Sequence, residues 1–161
     1  MNNAEIVEIL KRHVPASILA VEEFRGDLTV VVRRDDIVRV AEFIKTDSSL
    51  AFDLVIDVLG VDMYRPEERF EVIYIIYSLV NKRFLRLKVR LPEDTPTVPT
   101  VTGVWPGANW HERETWDMFG IKFAGHPDLR RLYMPEEFEH HPLRKDFPLM
   151  GIPDSLPLPR R

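Results

Sequence analysis

The sequence predicts an α+β domain, a mostly antiparallel sheet with helices packed on it, followed by a helix and an extended, proline-rich C-terminal arm. Apolar residues alternate or run together at strand spacing in five segments and recur at helical spacing in three. The connections between consecutive strands are short, which favours antiparallel pairing. Seven of the 13 prolines follow residue 125, where they disfavour long helices and central strands.

The first two helices are predicted from their apolar faces and their boundaries. Residues 3–13 form the first helix, with Asn3 as the N-cap and Pro15 just beyond the end. Asp35 caps the second helix. Its buried stripe follows the i, i+3, i+4, i+7 spacing and consists of Ile37, Val40, Ala41 and Ile44.

Five strands are predicted, at residues 18–23, 28–33, 52–59, 70–79 and 85–91. The first two form a hairpin around Arg25-Gly26-Asp27. The fourth is apolar on both faces, as expected of a central strand. The fifth places Arg86, Lys88 and Arg90 on one face, which is either a docking surface or the solvated face of the sheet.

A third helix is predicted over Trp110–Phe119, and Gly120 is suited to end it. We therefore divide the chain into a core domain, residues 1–124, and an arm, residues 125–161. The arm is too apolar for a solvated tail, so it is expected to lie on its own domain or on a partner, with only residues 154–161 free to fray. Its apolar residues are Leu129, Leu132, Tyr133, Met134, Phe138, Leu143, Phe147, Leu149, Met150 and Ile152.

Composition excludes several classes of function. A net charge of −4 and an isoelectric point of about 5.8 argue against nucleic-acid binding. The absence of cysteine excludes disulfides and iron–sulfur ligation. No glycine-rich phosphate loop, membrane-spanning run or signal peptide is recognisable, so a cytosolic protein, or one on the cytosolic face of a larger assembly, is expected.

Glu112 is the most unusual titratable residue, because it falls between Trp116 and Phe119 on the aromatic face of the third helix. A carboxylate there must either pair with an arginine or carry a raised pKa. The candidate partners are Arg130, Arg131 and Arg144. We favour a structural ion pair that fixes the arm to the domain over a general acid or base.

The histidines and tryptophans give weaker signals. His140 and His141 are adjacent and point oppositely on an extended chain, and His111 does not begin a His-Glu-x-x-His motif, so no metal site is predicted. Trp105 and Trp110 either cap the core or anchor an interface.

Residues 112–146 resemble the signature of the 30-kDa subunit of respiratory complex I, the proton-translocating NADH:quinone oxidoreductase. Residues 57–62 and 99–101 resemble that family more weakly. The matching segments are Glu112-Arg113-Glu114, Asp117-Met118-Phe119-Gly120, His126-Pro127-Asp128-Leu129-Arg130, Leu132 and His141-Pro142-Leu143-Arg144-Lys145-Asp146.

The resemblance implies a scaffold subunit of the hydrophilic arm that holds no flavin, iron–sulfur cluster or quinone. It implies a hetero-oligomer in which this chain braces the 49-kDa-like subunit beside an iron–sulfur subunit. The chain would be peripheral, on the cytoplasmic side of the cell membrane or the equivalent side of an organelle membrane, without catalysis of its own. Ferredoxin-fed and deazaflavin-fed complexes and membrane-bound hydrogenases contain similar subunits.

The candidate site is therefore an interface and not a catalytic, cofactor or metal centre. Two alternatives stay open: a free-standing acid–base or metal-dependent enzyme using Glu112, Glu114 and His126, and a generic α+β binding module. The interface and structural residues are Glu112, Arg113, Glu114, Asp117, His126, Arg130, Arg144 and Lys145.

Overall fold

A computed structural model describes residues 1–151. Ile152 and the end predicted to fray, residues 154–161, lie outside the described residues. The helices are α1 (Asn3–His13), α2 (Ile37–Thr46) and α3 (Ala108–Phe119). The strands are β1 (Ile18–Phe24), β2 (Asp27–Val32), β3 (Leu54–Asp62), β4 (Phe70–Ser78), β5 (Arg83–Leu91), β6 (Thr97–Pro99) and β7 (Lys122–Ala124).

Five strands form the main sheet in the order β1-β2-β5-β4-β3, and β6 pairs with β7 in a small parallel sheet. The α+β class and the mostly antiparallel sheet are confirmed, because three of the four pairings in the main sheet are antiparallel. The β2–β5 pairing is parallel. Strand β5 occupies the position between β2 and β4, so a purely antiparallel meander is excluded.

Most helices and strands begin and end close to the residues that the local sequence patterns predict. Helix α1 is capped by Asn2, one residue before the predicted cap, in a capping box with Glu5. The hairpin turn places Arg25 at φ 52° and Gly26 at φ 88°, so the Arg-Gly-Asp segment is a tight turn. Helix α3 begins two residues before the predicted Trp110 and ends at Gly120, which has φ 73°.

One hydrophobic core joins the sheet to the helices. Strand β4 lies between β3 and β5, as its two apolar faces predict, and its Phe70, Tyr74 and Ile76 side chains are fully buried. Trp105 is also buried, and its indole Nε1 donates to the Phe52 carbonyl at 3.1 Å. Trp110 is exposed, so of these two tryptophans Trp105 belongs to the core.

The basic stripe of β5 pairs with carboxylates of the same domain. Arg86 lies 2.8 Å from Asp27, and Lys88 lies 2.9 Å from Glu22. Arg90 reaches Glu22 at 3.4 Å. These pairs are partly exposed, which supports the solvated-face interpretation of the stripe.

Helix α3 lies unusually close to strand β3. A Cβ on Gly60 would meet the Phe119 ring at 2.6 Å and Thr115 at 2.9 Å. The Thr115 hydroxyl donates to the Val58 carbonyl at 2.7 Å. Glycine at position 60 therefore allows the C-terminal half of α3 to pack against the sheet. Within residues 1–151, no helix is both long and apolar enough to cross a bilayer.

Candidate functional site

The chain after β7 crosses helix α3 and returns to the edge of the main sheet. We call residues 125–151 the described arm, and the surface of α3, β3 and β4 that holds it the arm dock. No helix or strand is assigned within the described arm. Its position depends on two buried aspartates of the core domain, Asp117 and Asp62.

Asp117 binds one short segment of the arm through both carboxylate oxygens. Its Oδ2 accepts the backbone N–H groups of Leu132 at 3.0 Å, Tyr133 at 2.8 Å and Met134 at 3.1 Å. Its Oδ1 lies 2.6 Å from Arg131 Nη1. Burial opposes ionisation, but these hydrogen bonds outweigh it and lower the pKa of Asp117. Asp117 is therefore ionised, and its carboxylate holds residues 131–134 in place.

Asp62 fixes the arm at a second point. Its carboxylate accepts hydrogen bonds from Nε and Nη2 of the buried Arg69, at 3.0 Å and 2.7 Å respectively. It also accepts a hydrogen bond from the backbone N–H of Lys145 at 2.8 Å. Arg69 also reaches Glu93 at 2.6 Å and Asp146 at 3.0 Å. Burial would raise the pKa of Asp62, but the bonds from Arg69 and the backbone lower it to about 2.

Arg113 connects α3 to the arm backbone. Its guanidinium donates to the carbonyls of Arg130 at 3.1 Å and Arg131 at 3.3 Å, and it lies over the Trp110 ring at 4.7 Å. The Arg130 side chain instead forms an exposed two-bond pair with Asp128, at 2.7 and 2.8 Å. Arg130 therefore contributes its carbonyl to the dock, while its charge faces solvent.

Glu112 is fully buried and has no arginine partner within residues 1–151, so the predicted pairing with Arg130, Arg131 or Arg144 is wrong. It accepts from the Thr100 hydroxyl and, at 2.8 Å, from the Val101 N–H. Burial raises the pKa of Glu112 to about 7 despite these two bonds. Of the two outcomes the sequence allowed, this buried site, without an arginine among the described residues, favours the raised pKa.

Glu112 has no arginine partner in the described part of the chain because its side chain points into the core beside β6. The arm arginines lie on the opposite side of α3. His126 is a titratable neighbour, and its Nε2 lies 3.9 Å from Glu112 Oε2. His126 is also buried and bonds the Asn109 carbonyl at 3.2 Å, while its Nδ1 accepts the Asp128 N–H at 3.0 Å. Because Nδ1 accepts, Nε2 carries the proton of the neutral ring.

Arg144 and His141 close the end of α3. Arg144 Nε donates to the Phe119 carbonyl at 2.6 Å, and its guanidinium lies 5.1 Å from the centre of the Phe70 ring. His141 Nδ1 lies 2.9 Å from the Asp117 carbonyl oxygen. Both side chains lie against Gly120, where a side chain would collide with them. Gly120 thus ends the helix and admits the arm.

The remaining predicted residues play smaller parts. Glu114 is exposed and makes no hydrogen bond or ion pair with other described residues, and Lys145 contributes only its backbone N–H. Among residues 1–151 no group of three or more His, Asp and Glu side chains is arranged to hold a metal ion.

Asp62 and Arg69 were absent from the predicted set. Asp62 lies in the weaker matching segment at 57–62, which was the available signal. Arg69 directly precedes β4, and no local sequence pattern predicts its role. Its carboxylate partners are all several residues or more away in the sequence.

Residues 30–153 match the family described as the respiratory-chain NADH dehydrogenase, 30 Kd subunit. The chain belongs to this family. The resemblance of residues 112–146 is thereby confirmed. The chain is 52% identical over 149 residues to an NADH-quinone oxidoreductase subunit of Roseiflexus sp. (strain RS-1), covering 92% of this chain and 86% of that one. It is 47% identical over 156 residues to the same-named subunit of Geotalea uraniireducens (strain Rf4), covering 97% and 93%.

Two solved structures share the fold of this 30-kDa family member. A trypsin-resistant fragment (1–134) of Nqo5 is 33% identical with a TM-score of 0.64, covering 77% of this chain and 98% of that one. A chain of the membrane-bound sulfane sulfur reductase, an archaeal respiratory membrane complex, is 25% identical with a TM-score of 0.78, covering 91% and 86%. The names of these relatives thus describe subunits or chains of larger complexes.

Proposed function

We propose that this chain is a cofactor-free scaffold subunit of a proton-translocating NADH:quinone oxidoreductase of the complex I type. In this role it braces the 49-kDa-like subunit and lies beside an iron–sulfur subunit, on the cytoplasmic side of the membrane or its organelle equivalent. Family membership supports the parent complex. The structure of the described arm supports the bracing role.

The supporting observation is the two-sided character of the arm. Its polar groups turn inward, to Asp117 and Asp62, whereas several of its apolar side chains face solvent. Tyr133 is 67% exposed, Leu143 54%, Leu149 104% and Met150 99%. Large apolar side chains clustered on one exposed segment are typical of a surface that another protein covers.

We propose that the chain divides into a core domain at residues 1–124 and a partner-binding arm at residues 125–161. The dock holds the inner side of the arm in place, so the outer side is presented in a fixed conformation, which lowers the entropy lost on binding. The trypsin-resistant Nqo5 fragment supports a compact, separable domain, since it covers 77% of this chain.

The enzyme alternative receives no support from the geometry. The side chains of Glu112 and His126 are both fully buried, so no substrate reaches them, while Glu114 points to solvent. An acid–base or metal-dependent reaction needs such groups to converge on an accessible point.

The test is co-purification from native membranes with a tag on this chain. We expect the 49-kDa-like and iron–sulfur subunits to be recovered with wild type, and to be lost when Leu149 and Met150 are both replaced by Asp. The matched control is Leu19→Asp, because Leu19 is 57% exposed on β1, at the opposite edge of the sheet from β3. Equal recovery with the arm variant and with the control would refute the bracing role.

Arg113→Ala and Asp117→Ala test the absence of a catalytic role. Both remove groups that hold the arm, so assembly and quinone-reducing activity are expected to fall in parallel. Normal assembly with abolished turnover would show that one of these residues takes part in the reaction.

A second candidate is the equivalent subunit of a related complex, either ferredoxin-fed, deazaflavin-fed or a membrane-bound hydrogenase. The match to a chain of the archaeal sulfane sulfur reductase supports this second candidate, because the TM-score of 0.78 shows the same fold in a different respiratory complex. The same co-purification separates the two: an NADH-binding flavin subunit among the recovered proteins supports the first proposal, and its absence from an intact complex supports the second.

A further inference from the structure

A cleft of about 460 Å³ opens where the arm passes the end of α3. Arg144, His141, His140 and Phe147 line it, together with the carboxylates of Glu139 and Asp146. The cleft lies at the surface of the arm dock, beside the exposed segment that we propose to contact a partner. Its chemistry is set by which of these charged groups already have partners.

Arg144 is half-buried and has no carboxylate within 4 Å among the described residues. The other arginines that hold the arm differ in this respect. Arg69 lies 2.7 Å from Asp62, and Arg131 lies 2.6 Å from Asp117. Arg144 donates through Nε to the Phe119 carbonyl, which leaves its Nη groups without an anion. Burial lowers the pKa of Arg144, and Arg69 adds to this effect, whereas the charges of Asp146, Asp62 and Glu93 oppose it.

His141 places a second nitrogen beside Arg144. Its Nδ1 meets the Asp117 carbonyl oxygen at 2.9 Å and must donate there, so Nε2 carries the lone pair of the neutral ring. That Nε2 lies 2.6 Å from the point where a Cβ on Gly120 would stand, and Arg144 Nη2 approaches the same point. The two nitrogens therefore lie close to each other against Gly120, and both side chains line the cleft.

The carboxylates around His141 and Arg144 form their ion pairs and hydrogen bonds with other groups, although the charge of Asp146 also acts on Arg144. Asp117 is engaged by Arg131 and three backbone N–H groups, and Asp146 pairs with Arg69 at 3.0 Å. Glu139 is exposed at the rim and forms no ion pair with other described residues. Burial, Arg144 and Arg131 together lower the pKa of His141, although Asp117 opposes them.

We propose that the cleft binds the carboxylate of an Asp or Glu side chain from the neighbouring subunit, with Arg144 and His141 as its two donors. This inference rests on the proposed scaffold function and adds the chemistry of the contact. Arg144 donates through its Nη groups, and His141 takes up a proton on Nε2 and donates it to the same carboxylate. Association therefore carries one proton into the interface.

The proton uptake sets the sign of the pH dependence. A carboxylate beside His141 favours the imidazolium, so the pKa of His141 rises when the partner binds. Association is then stronger at pH 6 than at pH 8, because the bound state holds more protons than the free state. The partner carboxylate stays ionised across this range.

The experiment measures the Kd of the full-length chain for the co-purified partner subunit at pH 6, 7 and 8. We expect wild type to bind at least about threefold more tightly at pH 6 than at pH 8. Arg144→Gln is expected to weaken binding at least about tenfold at every pH. The matched control is Arg12→Gln, whose charge lies on α1 in an exposed pair with Glu8, and it should bind as wild type does.

Two further variants separate ligand binding from folding of the arm. His141→Asn keeps a donor to the Asp117 carbonyl but cannot titrate, so it should abolish the pH dependence, whereas His140→Asn should preserve it. Arg144→Lys keeps the charge and most of the side-chain length and should recover part of the affinity. Hydrogen exchange of the Leu143 amide, which donates to the Met118 carbonyl, checks that each variant keeps the arm docked.

The outcomes are distinguishable. Equal affinities for Arg144→Gln and Arg12→Gln, or a pH-independent Kd for wild type, would overturn the carboxylate site while leaving the scaffold function intact. Absence of any partner would instead refute the scaffold function itself.

Discussion

Glu112 gives a quantitative test of how the core tolerates a titratable group. The replacement Glu112→Gln removes the charge and keeps both an oxygen acceptor for the Val101 N–H and a polar atom beside Thr100. Burial raises the pKa of Glu112 from its ordinary 4.5 to about 7. Since one pKa unit corresponds to about 1.4 kcal/mol, this change corresponds to about 3 kcal/mol of unfolding free energy.

The sign follows from proton linkage. The folded state binds the Glu112 proton more tightly than the unfolded state does, so its contribution is present below pH 4.5, is lost as the pH rises from 4.5 to 7 and stays lost above it. Relative to wild type, the Gln variant should gain about 1 kcal/mol at pH 5 and about 3 kcal/mol at pH 8.

The assay is urea denaturation of wild type and Glu112→Gln at pH 5, 6, 7 and 8, with Glu114→Gln as the control on the same helix. Glu114 is exposed, so its variant should track wild type at every pH. A constant difference between Glu112→Gln and wild type across this range would refute the reasoning, because it would mean that Glu112 is ionised in the folded protein.

The remaining predictions concern the dock and the close approach of α3. Asp117→Asn should destabilise the protein by about 3–5 kcal/mol in urea denaturation, because it leaves the buried Arg131 guanidinium without an anion, and it should speed hydrogen exchange of the Leu132 amide; unchanged exchange would contradict the dock. Gly60→Ala should cost about 1–3 kcal/mol in the same assay, since its Cβ would collide with α3, whereas Gly103→Ala, with nothing within 4 Å, should cost far less; equal effects would contradict the packing. For Asp62 the folded pKa of about 2 lies below the ordinary 3.8, so its stabilisation is present above pH 3.8 and is lost as the pH falls towards 2. Acid titration by circular dichroism should therefore show a shallower loss of stability for Asp62→Asn, and an unchanged slope would contradict the ionised dock.

Much of the fold follows from local patterns that need no tertiary information. The apolar faces of α1 and α2, the two-sided apolar strand β4 and the terminating Gly120 each occupy the predicted place, since burial periodicity and left-handed backbone positions are properties of a few neighbouring residues. The parallel β2–β5 pairing was beyond such patterns. It depends on which strands meet across the sheet, and a strand has the same side-chain alternation in either direction.

The site divides in the same way. The motif in residues 112–146 located the dock, and the prediction of either an arginine partner or a raised pKa for Glu112 followed from its place in an aromatic stripe. Which alternative holds depends on whether Glu112 faces the arm or the core, and the arm is not periodic, so helical spacing could not decide it. Asp117 on the other face is the residue that meets Arg131. Arg69 is recognisable only once Asp62, Glu93 and Asp146 are brought together by the fold.

The central claim is that the outer side of the arm is covered by a neighbouring subunit. Hydroxyl-radical footprinting of the free chain and of the assembled complex tests it most directly. We expect Met150 and Tyr133 to be modified rapidly in the free chain and protected in the complex, while Leu19 on β1 is modified equally in both. Equal modification of Met150 and Tyr133 in the two states would contradict the account.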